Sequence, residues 1–201
     1  KRWMRYSTYT FTATSAVAPL VASEMPKAVM AFPIALIREA EAYAPAAVLS
    51  FQPNQNLFVT HDGRWIGSYV PSQFRSYPFA MLPTETGERI LCFDEESGLL
   101  VENESGERFF DADDGVAEAT QKVVEFLTAV QRDREKTLFA CKALAESGVV
   151  TPWEITVKAA EGERRIEGLF KVDEGALDAL SMDAFEMLRK SGALPIAYCQ
   201  M

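Results

Sequence analysis

Histidine occurs once in the 201 residues, as His61, and cysteine three times, as Cys92, Cys141 and Cys199. Structural zinc takes four Cys or His ligands and catalytic zinc commonly takes three protein ligands, so neither pattern is present at a recognisable spacing, and no metal site is expected. An odd number of dispersed cysteines leaves at least one without an internal partner, and reduced, buried thiols in a reducing compartment are the simplest expectation. Long hydrophobic runs are also missing. The longest uncharged apolar stretch covers only residues 28–37 and contains Pro33, whereas a membrane-spanning helix needs about 20 apolar residues. There is no G-x-S-x-G elbow, no phosphate-cradling G-x-x-x-x-G-K and no G-x-G-x-x-G, which lowers the expectation of an enzyme. Positive charge is in deficit: 20 Lys and Arg face 29 Asp and Glu, for a net charge of −9. That balance argues against a binder of nucleic acid or of anionic membranes, because such proteins displace counterions with a basic surface. No basic, apolar and small-residue leader opens the chain, which starts at Lys1 rather than a methionine, and a cytoplasmic location is the expectation.

What is present reads as an ordinary globular composition, 48% apolar and 24% charged. A chain of this length buries roughly 70% of its unfolded surface and supports one sizeable core without staples. No repeat period or low-complexity segment divides it, so one domain over residues 1–201 is expected.

Residues 3–13 are rich in aromatics and threonine, which suits a strand. Ser23-Glu24-Met25-Pro26 reads as a helix opening, with Ser23 as N-cap and proline in the first turn, and a short helix to about Ala31 follows. Residues 32–38 and 46–51 have strand length and are separated by a charged connection over 39–45. Segments 57–61 and 64–68 flank Asp62-Gly63, the signal of a type I′ hairpin. Residues 89–93 and 108–110 complete the strands of the first half. The acidic stretch 111–114 is placed to cap a helix, and apolar residues at Val116, Ala119, Val123, Leu127, Val130, Leu138, Cys141 and Ala145 predict that helix over about 116–146. Its stripe is interrupted at Arg134, where a bend or a buried ion pair would fit and a side chain snorkelling to solvent is favoured. Gly148 and Pro152 mark its end. A second hairpin is expected from 153–159 and 166–172, turning at Glu161-Gly162. Two short helices over 173–180 and 181–190, the latter stopped by Gly192, precede a closing strand over 193–199. The fold class expected is α+β, mainly antiparallel sheet with one long helix and short C-terminal helices.

The most specific signature runs from Asp62-Gly63-Arg64-Trp65-Ile66-Gly67-Ser68-Tyr69-Val70-Pro71 to Phe74-Arg75-Ser76-Tyr77-Pro78-Phe79. With Pro53-Asn54-Gln55-Asn56-Leu57-Phe58, Leu91-Cys92-Phe93-Asp94, Gly168-Leu169-Phe170-Lys171-Val172-Asp173 and residues 188–198, it resembles the SapC family of bacterial proteins over nearly the whole chain. At Tyr198-Cys199 this sequence departs from the tyrosine, alanine and histidine of many relatives. The resemblance implies an association with a bacterial surface layer and gene neighbourhoods holding halogenase-like proteins, cupin-like oxygenases and TonB-dependent receptors. It carries no catalytic residue over. The peptide-transporter permease that shares the name is excluded by the missing membrane spans.

His61 reads as a hairpin-end residue. The carboxylates of Asp94-Glu95-Glu96 and of Asp111, Asp113 and Asp114 lack calcium-loop spacing and read as solvated or capping charge. Residues 63–84 contain Arg64 and Arg75 and no acid, a locally positive island in an acidic chain. Aromatic faces beside a planar guanidinium suit a peptide or a carboxylate-bearing small molecule. The candidate ligand-binding residues are Arg64, Trp65, Tyr69, Arg75 and Tyr77. Most of them would serve equally as core, and Arg75 and Tyr77 stand out because their polar tips need partners if buried. The reading is a non-enzymatic accessory or binding protein for a peptide, a protein segment or a small anionic ligand near residues 64–79, with no cofactor. The alternatives are an enzyme or enzyme partner working with halogenase- or oxygenase-like proteins on a peptide, and a structural protein of the surface layer.

Overall fold

The centre of the molecule is a five-stranded antiparallel sheet in the spatial order Val17–Pro19, Ala42–Val48, Ile34–Glu39, Leu169–Val172 and Val150–Pro152. This computed structural model describes residues 1–40, 42–159 and 162–201. Side chains alternate across a pleated strand, and the sheet uses both faces. Ile34, Leu36, Ala47 and Val172 belong to the main core. Ala35, Val48 and Leu169 point the other way, toward Trp153 and toward Ile155 and Ile166 of the Ile155–Ala159 and Gly162–Ile166 hairpin.

The long helix, Glu118–Glu146, packs against strand Ala42–Val48. Ala47 belongs to the main core on the helix side and is fully buried, and its small side chain lets the helix approach closely, whereas Ala44 and Ala46 lie on the opposite face of the strand with Val48. Its C-terminal half supplies Ala140, Cys141 and Leu144 to the main core, beside Ile196 and Ala197. Each fully buried leucine or isoleucine contributes roughly 1.5–3 kcal/mol relative to exposure. The N-terminal half joins a second cluster around Trp3, Phe79 and Leu127. That cluster lies under the Phe79–Pro83 and Arg89–Phe93 ribbon. The helix is thus a spine shared by two cores, and the segment linking them carries the signature residues.

The α+β class, the antiparallel pairing, the long helix and the short helices Glu174–Asp178 and Met182–Ser191, capped by Asp173 and Ser181, agree with the sequence reading. Several elements differ. Only Arg2–Trp3 of the N-terminal aromatic segment is strand. Tyr6 and Tyr9 precede a 3-10 turn, Thr10–Thr12, that carries Phe11, and their rings meet one another and those of Tyr77, Trp65 and Phe74 in edge-on or tilted contacts. Ser23 is not an N-cap. The amides of Val21, Ala22 and Ser23 are satisfied by the side chains of Glu24, Thr137 and Asp133, so the turn opens earlier, at Ala22, and the α-helical part is only Met25–Ala28.

Strand Ala42–Val48 begins inside the expected connection and takes in Pro45. That proline has no N–H to give, but its carbonyl accepts from Leu20 at 2.8 Å. The Asp62-Gly63 turn is not type I′, since only Gly63 has positive φ, at +79°. Thr60 closes on both Gly63 and Arg64 around a three-residue loop, leaving one bridge, Val59 to Trp65. A side chain at Gly63 would also meet Thr8 and Thr10 at 2.8 Å.

The acidic stretch does not cap the long helix, whose N-cap is Ala117. Asp111 accepts instead from the amides of Asp113 and Gly115 and closes its own loop. Residues 166–172 do not form one strand: Gly168, at φ +81°, separates the Ile155–Ile166 hairpin from the central sheet. The expected turn at Glu161 lies outside the described residues. The closing segment is a helix, Ala193–Gln200, and not a strand. Its buried side, Ala193, Ile196 and Ala197, has helical spacing, and Gln200 reaches the sheet from its end.

Candidate functional site

Glu24 is 4% exposed. A buried carboxylate requires hydrogen bonds or a counter-charge, and Glu24 has both. One oxygen accepts from the Ser72 amide at 2.6 Å and the Tyr69 hydroxyl at 2.8 Å. The other accepts from the Ser72 hydroxyl at 2.7 Å and the Val21 amide at 3.1 Å. The carboxylate thereby pins the start of the Ser72–Arg75 helical turn to the turn at Ala22–Glu24. Burial and the bond to Glu24 push the Tyr69 hydroxyl up to about 12, so it stays protonated as a donor to Glu24.

Arg75 completes the arrangement from outside. Its guanidinium donates to the Tyr69 hydroxyl at 3.1 Å and lies 3.6 Å from Glu24. It sits 5.6 Å from the Tyr69 ring centroid and 5.1 Å from that of Phe126 on the long helix. The side chain is still 40% exposed, so donors of its fork face solvent. The expected carboxylate partner therefore exists as an ion-pair neighbour, while the direct hydrogen bond goes to a phenol.

Beside Arg75 opens a cleft of about 440 Å³ between the N-terminal segment, the 75–79 segment and the first turns of the long helix. Trp3, Tyr6, Tyr77 and Phe126 supply aromatic walls; Arg5, Arg75 and Lys122 supply positive charge. Among the described residues no acid lines it. Arg5 lies 5.5 Å from the Trp3 ring centroid, and Lys122 bonds to the exposed Glu118 one turn away. Burial, reinforced by Tyr9, pushes the Tyr6 phenol up to about 12. Burial also raises Tyr77, with Asp94 next to it adding to the effect. These phenols are neutral hydroxyls at ordinary pH, and three cations with uncharged aromatics make a cleft for an anion carrying an apolar group.

The five residues singled out in the sequence part company here. Arg75 and Tyr77 line the cleft, and Tyr77 stacks on Phe11 with ring centroids 4.0 Å apart. Tyr69 lies beneath Arg75 as its hydrogen-bond partner. Trp65 packs on the main core and donates its indole N–H to the Tyr69 carbonyl at 2.8 Å, so it shapes the segment from behind. Arg64 is exposed on the turn and does not line the cleft. Residues outside the signature complete the site: Glu24, Arg5, Tyr6, Lys122 and Phe126. Glu24 does reach back to the Val21 amide as a capping-box glutamate does, but the residue at the cap is Val21 rather than Ser, Thr, Asp or Asn, so the sequence carries no signature for it.

Arg134, the interruption in the helical stripe, pairs with Glu39 while remaining partly exposed. All three cysteines are unpaired. Among the described residues no three His, Cys, Asp or Glu side chains converge into a metal-holding group, and no helix is long and apolar enough to cross a membrane.

Comparison with curated proteins and with solved structures finds no match. The family model described as SapC matches residues 1–201, the whole length. The chain belongs to the SapC family.

Proposed function

We propose that this protein is a binding protein whose cleft beside Arg75 takes an anionic partner, a carboxylate attached to an apolar or aromatic group, as a small molecule or as part of a peptide. The observation that carries the reading is a half-exposed guanidinium, fixed from below by Tyr69 and the buried Glu24, facing an aromatic cleft that no acid lines among the described residues, in a chain of charge −9. Arginine suits this task because its planar fork keeps donors available after one has been used. Charge-assisted hydrogen bonds contribute roughly 1.5–3 kcal/mol each, and the ring faces of Tyr6 and Phe126 offer contact to the ligand's apolar part.

The test is calorimetric titration with N-acetylphenylalanine, which joins one carboxylate to one ring, and with its uncharged amide. The acid binds, the amide binds at least about tenfold more weakly, consistent with loss of one charge-assisted contact, and Arg75→Ala abolishes the difference. Equal affinity for acid and amide, or acid binding unchanged in Arg75→Ala, would overturn the reading.

A further inference from the structure

Arg75 lies at the waist of a longer groove. On its other side a second recess, of about 320 Å³, shares Arg75 and Phe126 with the aromatic cleft. Its floor continues along the same face of the long helix, from Phe126 through Ala129 and Val130 to Asp133, the three- and four-residue steps that keep side chains on one face. The groove therefore follows the helix from Ala119 to Lys136, about 25 Å at 1.5 Å per residue.

Charge is distributed along this path in a definite way. Arg5 and Lys122 stand at the aromatic end, Arg75 at the waist, and Arg132 and Lys136 at the far end. Arg132 and Lys136 are exposed and form no ion pair among the described residues. Two acids also line the far recess: Glu24, held by four donors with Arg75 as its counter-charge, and Asp133, which accepts from the Ser23 amide at 3.0 Å and lies between the two cations Arg132 and Lys136 in sequence.

We infer that the groove binds an extended acidic peptide segment of about eight residues, the length that covers this span at about 3.3 Å per residue, with Arg75 gripping its middle and Arg132 and Lys136 its far end. This deepens the proposed reading and rests on it, because both place an anion on Arg75. Charge complementarity selects the occupant: five cations spaced along the groove, Arg5 and Arg75 on one wall and Lys122, Arg132 and Lys136 on the helix, with Lys122 already paired to Glu118, match acidic side chains repeated along a strand-like chain, whereas a single small acid would use only the aromatic cleft.

The experiment is fluorescence anisotropy with a labelled, amidated octapeptide of alternating glutamate and serine around a central phenylalanine, and a control with glutamine for glutamate. N-acetylphenylalanine is titrated in parallel by calorimetry. The acidic octapeptide binds and the glutamine control does not. The double variant Arg132→Ala with Lys136→Ala weakens the octapeptide about tenfold, as loss of two exposed charge contacts implies, and leaves N-acetylphenylalanine unchanged. Circular dichroism of that variant matches the parent, since both side chains are exposed. An octapeptide affinity indifferent to Arg132 and Lys136 but lost in Arg75→Ala overturns the extended groove and leaves the cleft standing. Failure of the octapeptide to bind, with the small acid still bound, has the same meaning. Failure of both ligands overturns the cleft and the groove together.

Discussion

Glu24 holds four hydrogen bonds and an arginine beneath the surface, and replacing its charge is costly for a definite reason. Glutamine would keep one acceptor oxygen and turn an amide N–H₂ toward groups that are themselves donors. Glu24→Gln should therefore destabilise the protein by about 3 kcal/mol, the scale for breaking a buried charged network, read from the midpoint of urea unfolding. A loss below about 1 kcal/mol would mean that the donors of Ser72 and Tyr69 find other partners.

Titration makes a second residue-scale prediction. Cys141 is 0% exposed, and burial, with Glu39 adding to it, raises its thiol from 9.0 to about 12. Tyr6 and Tyr69 are raised from 10.0 to about 12. A group whose folded pKa is raised stabilises the fold fully below its unfolded value and loses that contribution as pH climbs toward the folded value. The melting temperature should thus hold up to about pH 9 and then fall toward pH 12. In Cys141→Ala the decline should begin near pH 10, where the tyrosines take over; an onset still near pH 9 would contradict the assignment. The need for a partner at Arg75 was legible, because apolar flanks draw the segment inward while its charge demands compensation. The identity of that partner was not, since Glu24 lies far away in sequence and only the fold brings it under Tyr69.

At the scale of elements, legibility followed the length of the pattern. The long helix repeats its apolar stripe over many turns, and the structure departs from the expected bounds by two residues at its start. The closing segment Ala193–Gln200 is short, apolar and contains a proline, so neither a period of 2 nor of 3.6 stands out. Packing against the long helix decided it. The central sheet also draws Val150–Pro152 and Leu169–Val172 from the second half of the chain, pairings that local signals do not announce. Gln200 ties these levels together: its side chain accepts from the Val172 amide at 2.6 Å and donates to the Ile34 carbonyl at 3.3 Å. Gln200→Leu keeps the volume and removes both bonds from a buried position, so it should cost about 2 kcal/mol, measured by chemical denaturation. A neutral substitution would show that the helix is held by its apolar side alone.

At the scale of the whole molecule, the cleft is assembled from three segments remote in sequence: Trp3 to Tyr6, Arg75 to Phe79, and Ala119 to Phe126. The signature drew attention to only one of them. Arg5 sat in a segment that reads as strand, and Lys122 on what reads as the solvated face of a helix. Neither could be placed beside Arg75 without knowing that the helix serves two cores and that the linking segment crosses it between them. The acid-free island in the sequence has a counterpart in the fold, a positive cleft in a negative molecule.

The measurement that bears most directly on this account is the pair of effects of Arg75→Ala on stability and on binding of N-acetylphenylalanine. Arg75 is half-exposed and 3.6 Å from Glu24, so the ion pair contributes at most about 1 kcal/mol, and the Glu24 donors remain when it is removed. The account predicts a urea midpoint shifted by no more than that amount and acid affinity reduced to the level of the uncharged amide. A variant that loses several kcal/mol of stability, or that binds the acid as the parent does, would contradict it.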